Sequence, residues 1–164
     1  MKTLVLIRHA KSSWKDASLA DRDRPLNRRG ERDAPKMGRR MAAWAGAPDL
    51  VVSSPAVRAL TTARVIAKGV GYPVKRIVED ERLYAGDRTE LLDAIRGLDD
   101  RLDMVFLFSH NPGLTDLVNA LSEEAVDNVP TCGVVKFRVD ADCWADVRPD
   151  TVQRIDFDYP KRVR

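Results

Sequence analysis

Histidine and cysteine are both scarce in this chain of 164 residues, with two of each. Cys132 and Cys143 stand apart, without the close spacing or histidine neighbours of a metal centre, which excludes a zinc-ribbon site and a disulfide framework. They read as reduced, structural residues. No apolar run reaches the length of a membrane span. The opening MKTLVLI is cut off by Arg8, His9 and Lys11, too soon for a secretory signal. The reading is therefore a cytoplasmic protein with no membrane partner. A one-signed charge is missing too: 28 Lys+Arg face 25 Asp+Glu, a net charge of +3. The charges interleave, and without a basic stripe or aromatic stacking positions a nucleic-acid partner is not expected. The basic KRVR at 161–164 reads as a frayed, solvated tail.

What is present is an alternation of elements, in a length that suits a single domain over residues 1–164. TLVLI (3–7) and DLVVSS (49–54) are uniformly apolar runs, the pattern of strands buried on both faces. DMVFLFS (103–109) is the clearest such run, and VKRIVE (74–79) reads as a weaker one. Between the first two lies a polar loop, then a helix expected over 28–45 with Asn27 as N-cap and Ala34, Met37, Met41 and Trp44 on one face. Pro35 should kink that helix or mark its true start. Ser54 as N-cap and Pro55 at the first position announce a second helix, closed by Gly69 or Gly71. DERLYAGD (80–87) reads as a loop, 89–98 as a helix with Leu91, Leu92 and Ile95 inward, and Leu114, Leu117, Val118 and Leu121 as the stripe of another. VVKFRV (134–139) and TVQRIDF (151–157) partly alternate, as edge or antiparallel strands do. The fold class is α/β, with a mostly parallel mixed sheet of about six strands between helical layers, an α/β/α sandwich.

Both histidines fall at strand ends. In open α/β sheets, ligands bind beyond the carboxyl ends of the strands. The first strand ends at Arg8-His9, the 103–109 strand at His110, and Arg58 follows the 49–54 strand on the first turn of its helix. If those strands are neighbours, two guanidiniums and two imidazoles share one small volume, which is unfavourable unless an anion sits among them. Arginine's paired donors suit a phosphoryl group, and a helix N-terminus near Arg58 adds positive potential. A neutral imidazole can act as nucleophile while its neighbours stabilise charge on the equatorial oxygens.

Four stretches carry a resemblance: LIRHA at 6–10, RPLNRRG at 24–30, SSPAVRALTTA at 53–63 and FSHNPGL at 108–114. In order and spacing they resemble the histidine phosphatase, or phosphoglycerate mutase-like, superfamily, and the short length and RHAKSSW opening look like its SixA-type phosphohistidine phosphatase branch. The resemblance implies His9 as the nucleophile that becomes phosphorylated, Arg8 and Arg58 as binders of the phosphoryl oxygens, and His110 as the residue completing the pocket. It implies no metal and no cofactor. Two positions depart from the family pattern. Ala10 replaces the usual glycine of the opening motif, a constraint if that position needs positive φ. An acid that protonates the leaving group is not evident; Glu81 is the nearest candidate, with Glu79 and Asp80 beside it.

An alkoxide leaving group needs a proton donor, whereas imidazole, with a reference pKa of about 6.5, does not need a strong one. Between Ile66 and Leu91 there is no room for a capping subdomain. The expected activity is thus metal-independent removal of phosphate from phosphohistidine in a protein. The alternatives are a small-molecule phosphomonoesterase using Glu81 as general acid and a non-catalytic phosphate-binding module; a bisphosphate-dependent mutase is least favoured. The partner is a phosphorylated protein or a small phosphate ester, and a monomer is compatible with the sequence. Lys11 and Lys15 should steer anionic substrates, and Trp14 reads as packed on the domain.

Overall fold

A computed structural model describes residues 1–44 and 46–164. Six strands form one sheet: β1 (Lys2–Arg8), β2 (Leu50–Ser53), β3 (Val78–Glu79), β4 (Met104–Ser109), β5 (Val134–Val139) and β6 (Val152–Asp158), in the order β3-β2-β4-β1-β5-β6. The pairs β1·β4, β2·β4 and β2·β3 are parallel, and β1·β5 and β5·β6 antiparallel. Helices α1 (Arg28–Ala42) and α2 (Val57–Val70) cover one face, and α3 (Arg82–Ala85), α4 (Arg88–Arg96) and α5 (Gly113–Leu121) the other. This is the α/β sandwich expected from the alternation of elements.

The uniformly apolar strands serve both layers because successive side chains point to opposite faces. On β1, Leu4 and Leu6 join the core under α4 and α5, while Val5 and Ile7 join the one under α1 and α2. Val105 and Leu107 alternate with Phe106 and Phe108 in the same way on β4. Burying such side chains contributes roughly 1.5–3 kcal/mol each. The two central strands are thus held rigidly, and their carboxyl ends carry His9 and His110. In β1·β4, Arg8 pairs directly with Ser109.

Several boundaries differ from expectation. The 74–79 segment is a 3-10 turn over Val74–Arg76 followed by the two-residue edge strand β3. Pro73 opens the turn, and with one strand neighbour and Val78 exposed, nothing buries a longer strand. Helix α2 begins at Val57, after Ala56, rather than at Pro55; the Ser54 hydroxyl accepts from the Ala56 N–H instead of capping a first turn. Helix α1 starts at Arg28, with the Asn27 side chain accepting from the Gly30 N–H, and runs through Pro35. Its expected last residue, position 45, lies outside the described residues. Gly71, at φ 82°, ends α2. The 80–87 loop contains α3, and α4 is set by an Asp87–Glu90 capping box. The C-terminal tail is tied rather than frayed, with Arg164 against Asp156 and Asp158 and the Arg162 carbonyl accepting from Arg40.

Candidate active site

The backbone around His9 is clamped from both sides. Its N–H donates to the Ser109 carbonyl (3.2 Å), and its own carbonyl accepts from the Cys132 N–H (2.9 Å). The Ala10 N–H donates to Thr62 Oγ1 (2.9 Å), and that hydroxyl donates to the Arg58 carbonyl (2.7 Å), tying α2 to the segment after the histidine. Ala10 is fully buried, and Cys132 is the one non-glycine with positive φ among the described residues. The position that departs from the family's glycine therefore makes no conformational demand for one.

The rings of His9 and His110 lie 5.0 Å apart between centroids. His9 Nδ1 is 2.7 Å from the Ala10 carbonyl oxygen. That oxygen can only accept, so Nδ1 carries the hydrogen and Nε2 keeps its lone pair. Burial lowers the His9 pKa to about 3, against the opposing pull of the Ala10 bond and with further lowering from His110, Arg58 and Arg8. The imidazole is neutral at pH 7 with a free electron pair, the state a nucleophile requires.

His110 Nε2 sits 2.7 Å from Ser54 Oγ. Among the described residues the Ser54 hydroxyl hydrogen has no other acceptor, so it is donated to Nε2. This places the His110 hydrogen on Nδ1, which is buried without a partner. Burial first, then Arg58, lowers the His110 pKa to about 4. Arg8 Nε and Arg58 Nε are likewise buried and unpartnered. Three of the six unpartnered buried polar side-chain atoms among the described residues thus belong to this one site. Orphaned donors are costly, by about 1–3 kcal/mol each, and three together mark a place for an anion.

Other nitrogens of both arginines are engaged by the protein: Nη1 of Arg8 and both terminal nitrogens of Arg58. Arg8 Nη1 donates to the Val129 carbonyl (3.0 Å), which also accepts from Asn111 Nδ2. Burial, then the Arg58 charge, lowers the Arg8 pKa. Arg58 Nη1 donates to the Asp21 carbonyl (2.7 Å) and Nη2 to Asp21 Oδ2 (3.0 Å). The same Oδ2 accepts from the Tyr84 hydroxyl (2.7 Å), and Oδ1 from Arg24 Nε (3.2 Å). The Tyr84 bond, with Arg58 and Arg24, holds the Asp21 pKa at about 2, so it stays a carboxylate. Tyr84 stands edge-on to His110, 5.6 Å between centroids, and the Ser109 hydroxyl donates to the Leu83 carbonyl, fixing α3 beneath it.

Arg8, His9, Arg58 and His110, the four residues that the sequence places at strand ends, are brought together. Glu81 is not among them: its carboxylate pairs with Arg22 at 2.8 Å and is 71% exposed. Arg22 in turn lies over the Tyr84 ring. Glu79 is the exposed second residue of β3, and Asp80 follows it, paired with Arg82. Asp21, Ser54 and Tyr84 are site residues that sequence reading missed. Ser54 reads as a cap, while Asp21 and Tyr84 sit in segments with no periodicity to mark them. Trp14 is 73% exposed, with one face on the Arg24 guanidinium 3.5 Å away, instead of being packed into the domain. Among the described residues no group of three or more His, Cys, Asp or Glu could hold a metal ion.

Residues 4–84 match the model of the histidine phosphatase superfamily (branch 1). An uncharacterized protein of Mycobacterium tuberculosis is 32% identical over 165 residues, spanning 94% of this chain and all of that one. The chain belongs to the histidine phosphatase superfamily. An uncharacterized chloroplastic protein of Arabidopsis thaliana is 29% identical, over 88% of this chain and 70% of its own. Among solved structures, a candidate phosphohistidine phosphatase SixA from Agrobacterium tumefaciens superposes with a TM-score of 0.80 at 25% identity, covering 97% of this chain and 98% of that one. A counterpart from Nakamurella multipartitia gives 0.81 at 22% identity, over 98% and 97%. The fold is therefore that of the SixA-type branch of the family, and the chain is a phosphatase. No helix among the described residues is long and apolar enough to cross a membrane.

Proposed function

We propose that this phosphatase removes the phosphoryl group from phosphohistidine in a protein, through a covalent intermediate on His9 and without a metal. The observation that carries the reading is the set of three unpartnered buried N–H donors, on Arg8, Arg58 and His110, beside a neutral imidazole. A tetrahedral phosphoryl group satisfies all three donors at once, and its negative charge offsets two guanidiniums that otherwise repel each other.

The chemistry follows from the hydrogen-bond pattern. His9 Nε2 attacks phosphorus while Nδ1–H is anchored on Ala10, and positive charge forming on the ring is shared with that carbonyl. The P–N bond of the substrate breaks, and the substrate ring, protonated on its other nitrogen, departs with the electron pair as neutral imidazole. Arg8, Arg58 and His110 stabilise the equatorial oxygens during transfer. Water then displaces the phosphoryl group from Nε2, releasing phosphate and restoring His9.

Substrate class follows from the acid. The carboxylate nearest this role in the sequence, Glu81, is exposed and engaged by Arg22, and Asp21 is held ionised with a pKa of about 2. Asp21 therefore has no proton to give at pH 7 and Glu81 is held outward by Arg22, which favours a leaving group that needs little help. Between α2 and α4 the chain forms only a 3-10 turn, β3 and α3, which leaves the site open to a side chain of another protein. Metal-free assays on phosphohistidine and on an alkyl phosphate, side by side, test the reading. Faster turnover of phosphohistidine is expected; a preference for the alkyl ester would overturn it in favour of the small-molecule phosphomonoesterase.

A further inference from the structure

A cavity of about 460 Å³ opens beside the phosphoryl donors. Its wall includes Arg58 and His110 but neither Arg8 nor His9, and it continues past Tyr84 to Asp87 and Asp116. Arg58 and His110 are only 6% and 7% exposed, and each keeps an unpartnered buried nitrogen. One end of the cavity is therefore built for an anion.

The rest of the wall has the opposite sign. Its other charged residues are Asp21, Asp87 and Asp116, and Arg58 is its one cation. Asp21 is neutralised by Arg58 and Arg24. Asp87 accepts from the Glu90 N–H as the cap of α4, a neutral partner. Asp116, exposed in the first turn of α5, is engaged by no side-chain hydrogen bond or ion pair among the described residues. The wall is rigid at this point: Gly113 admits the Gly86 carbonyl where a Cβ would overlap it, locking α5 against the α3–α4 connection.

Resting on the phosphohistidine reading, we infer that this acidic end is a subsite for a positively charged side chain, Lys or Arg, adjacent to the phosphorylated residue of the substrate protein. In-line displacement sends the leaving portion of the substrate away from His9, and the cavity that shares Arg58 and His110 without His9 is the space that receives it. Its volume lies in the range of small-ligand sites and exceeds what an imidazole alone fills. A sugar or glycerate phosphate brings neutral or anionic groups, for which two weakly compensated carboxylates are poor partners. A basic neighbour places its charge against Asp116 and Asp87 while the phosphoryl group occupies the cationic end.

The test uses two phosphohistidine peptides identical but for Lys or Glu next to the modified residue. Wild-type protein should favour the Lys peptide in kcat/KM by about five-fold, the size of a partly exposed ion pair. Asp116→Asn should narrow the ratio, and Asp116→Lys should invert it, with thermal melting confirming that both variants are folded. Equal use of the two peptides by wild type, or a ratio unmoved by Asp116→Lys, overturns the subsite alone. If neither peptide is hydrolysed while an alkyl phosphate is, the phosphohistidine reading fails and the subsite with it.

Discussion

His9 donates its Nδ1 hydrogen to the carbonyl oxygen of Ala10, its own neighbour in the chain, at 2.7 Å. That single bond decides which of the two ring nitrogens can form a bond to phosphorus. The adduct trapped by brief exposure to substrate and quenching in alkaline denaturant should therefore be the Nε2 phosphoimidazole of His9, lost on acid treatment. Replacing His9 by Ala should remove both adduct and turnover, by at least about 10³-fold. Retained turnover in His9→Ala would reject the covalent route.

Arg58 places a buried, unpartnered Nε at the phosphoryl position while its two terminal nitrogens hold Asp21. Arg58→Ala should lower kcat by about 10²–10³, the loss seen when a charge-stabilising donor is removed. Asp21→Asn keeps the guanidinium and loosens only its anchorage, so a smaller fall is expected. Steady-state kinetics on the same substrate rank the two, and the reverse order would show that Asp21 has a more direct part.

Ser54 is a positioning residue, because its hydroxyl fixes the His110 tautomer and touches nothing else in the site. Ser54→Ala should cost about 1–3 kcal/mol of transition-state stabilisation, the penalty for leaving a buried group unsatisfied. The effect should fall on kcat, with the pH profile shifting as His110 changes tautomer, whereas Ser54→Thr should restore much of the rate. Loss of stability without any change in pH profile would reduce Ser54 to a structural role.

The Glu81–Arg22 pair lies at the surface, and exposed pairs contribute little, about 0–1 kcal/mol. Glu81→Gln should change turnover of phosphoramidates less than about three-fold, a limit set by that small energy. A large loss confined to alkyl phosphates would assign the proton donor to Glu81 after all.

Both histidines are buried in their neutral forms, with pKa values lowered to about 3 for His9 and about 4 for His110. Unfolded, each takes up a proton near pH 6.5, so below that pH the unfolded chain binds more protons than the folded one. Stability is full above about pH 6.5 and falls as the pH drops towards 4, by about 1.4 kcal/mol per pH unit for each group. Urea midpoints at pH 7 and pH 5 should differ by an amount equivalent to about 4 kcal/mol, and the double variant His9→Asn, His110→Asn should flatten the difference. A wild-type midpoint that does not move would contradict neutral burial.

The strands were legible where apolar residues run without interruption, as in TLVLI and MVFLFS, because only burial on both faces tolerates such runs. Edges were less so. The 74–79 stretch has strand composition, yet with a single neighbour and solvent on its outer side it settles into a turn and two paired residues. Ser54-Pro55 carries a helix-start signal, yet the helix begins at Val57, and the Ser54 hydroxyl meets His110 at the end of the neighbouring strand β4.

By itself the sequence determined that two imidazoles and two guanidiniums stand at strand ends, since each adjoins an apolar run or helix start that the local pattern reveals. Tertiary structure alone decided which nitrogens are free. Asp21 and Val129 accept from Arg58 and Arg8, Tyr84 holds Asp21, and Ser54 donates to His110 Nε2, all from different segments, while Arg8 Nε, Arg58 Nε and His110 Nδ1 stay unpartnered. Hydrogen bonds between distant segments depend on packing geometry and not on neighbouring residue types, so no periodicity or spacing along the chain records them.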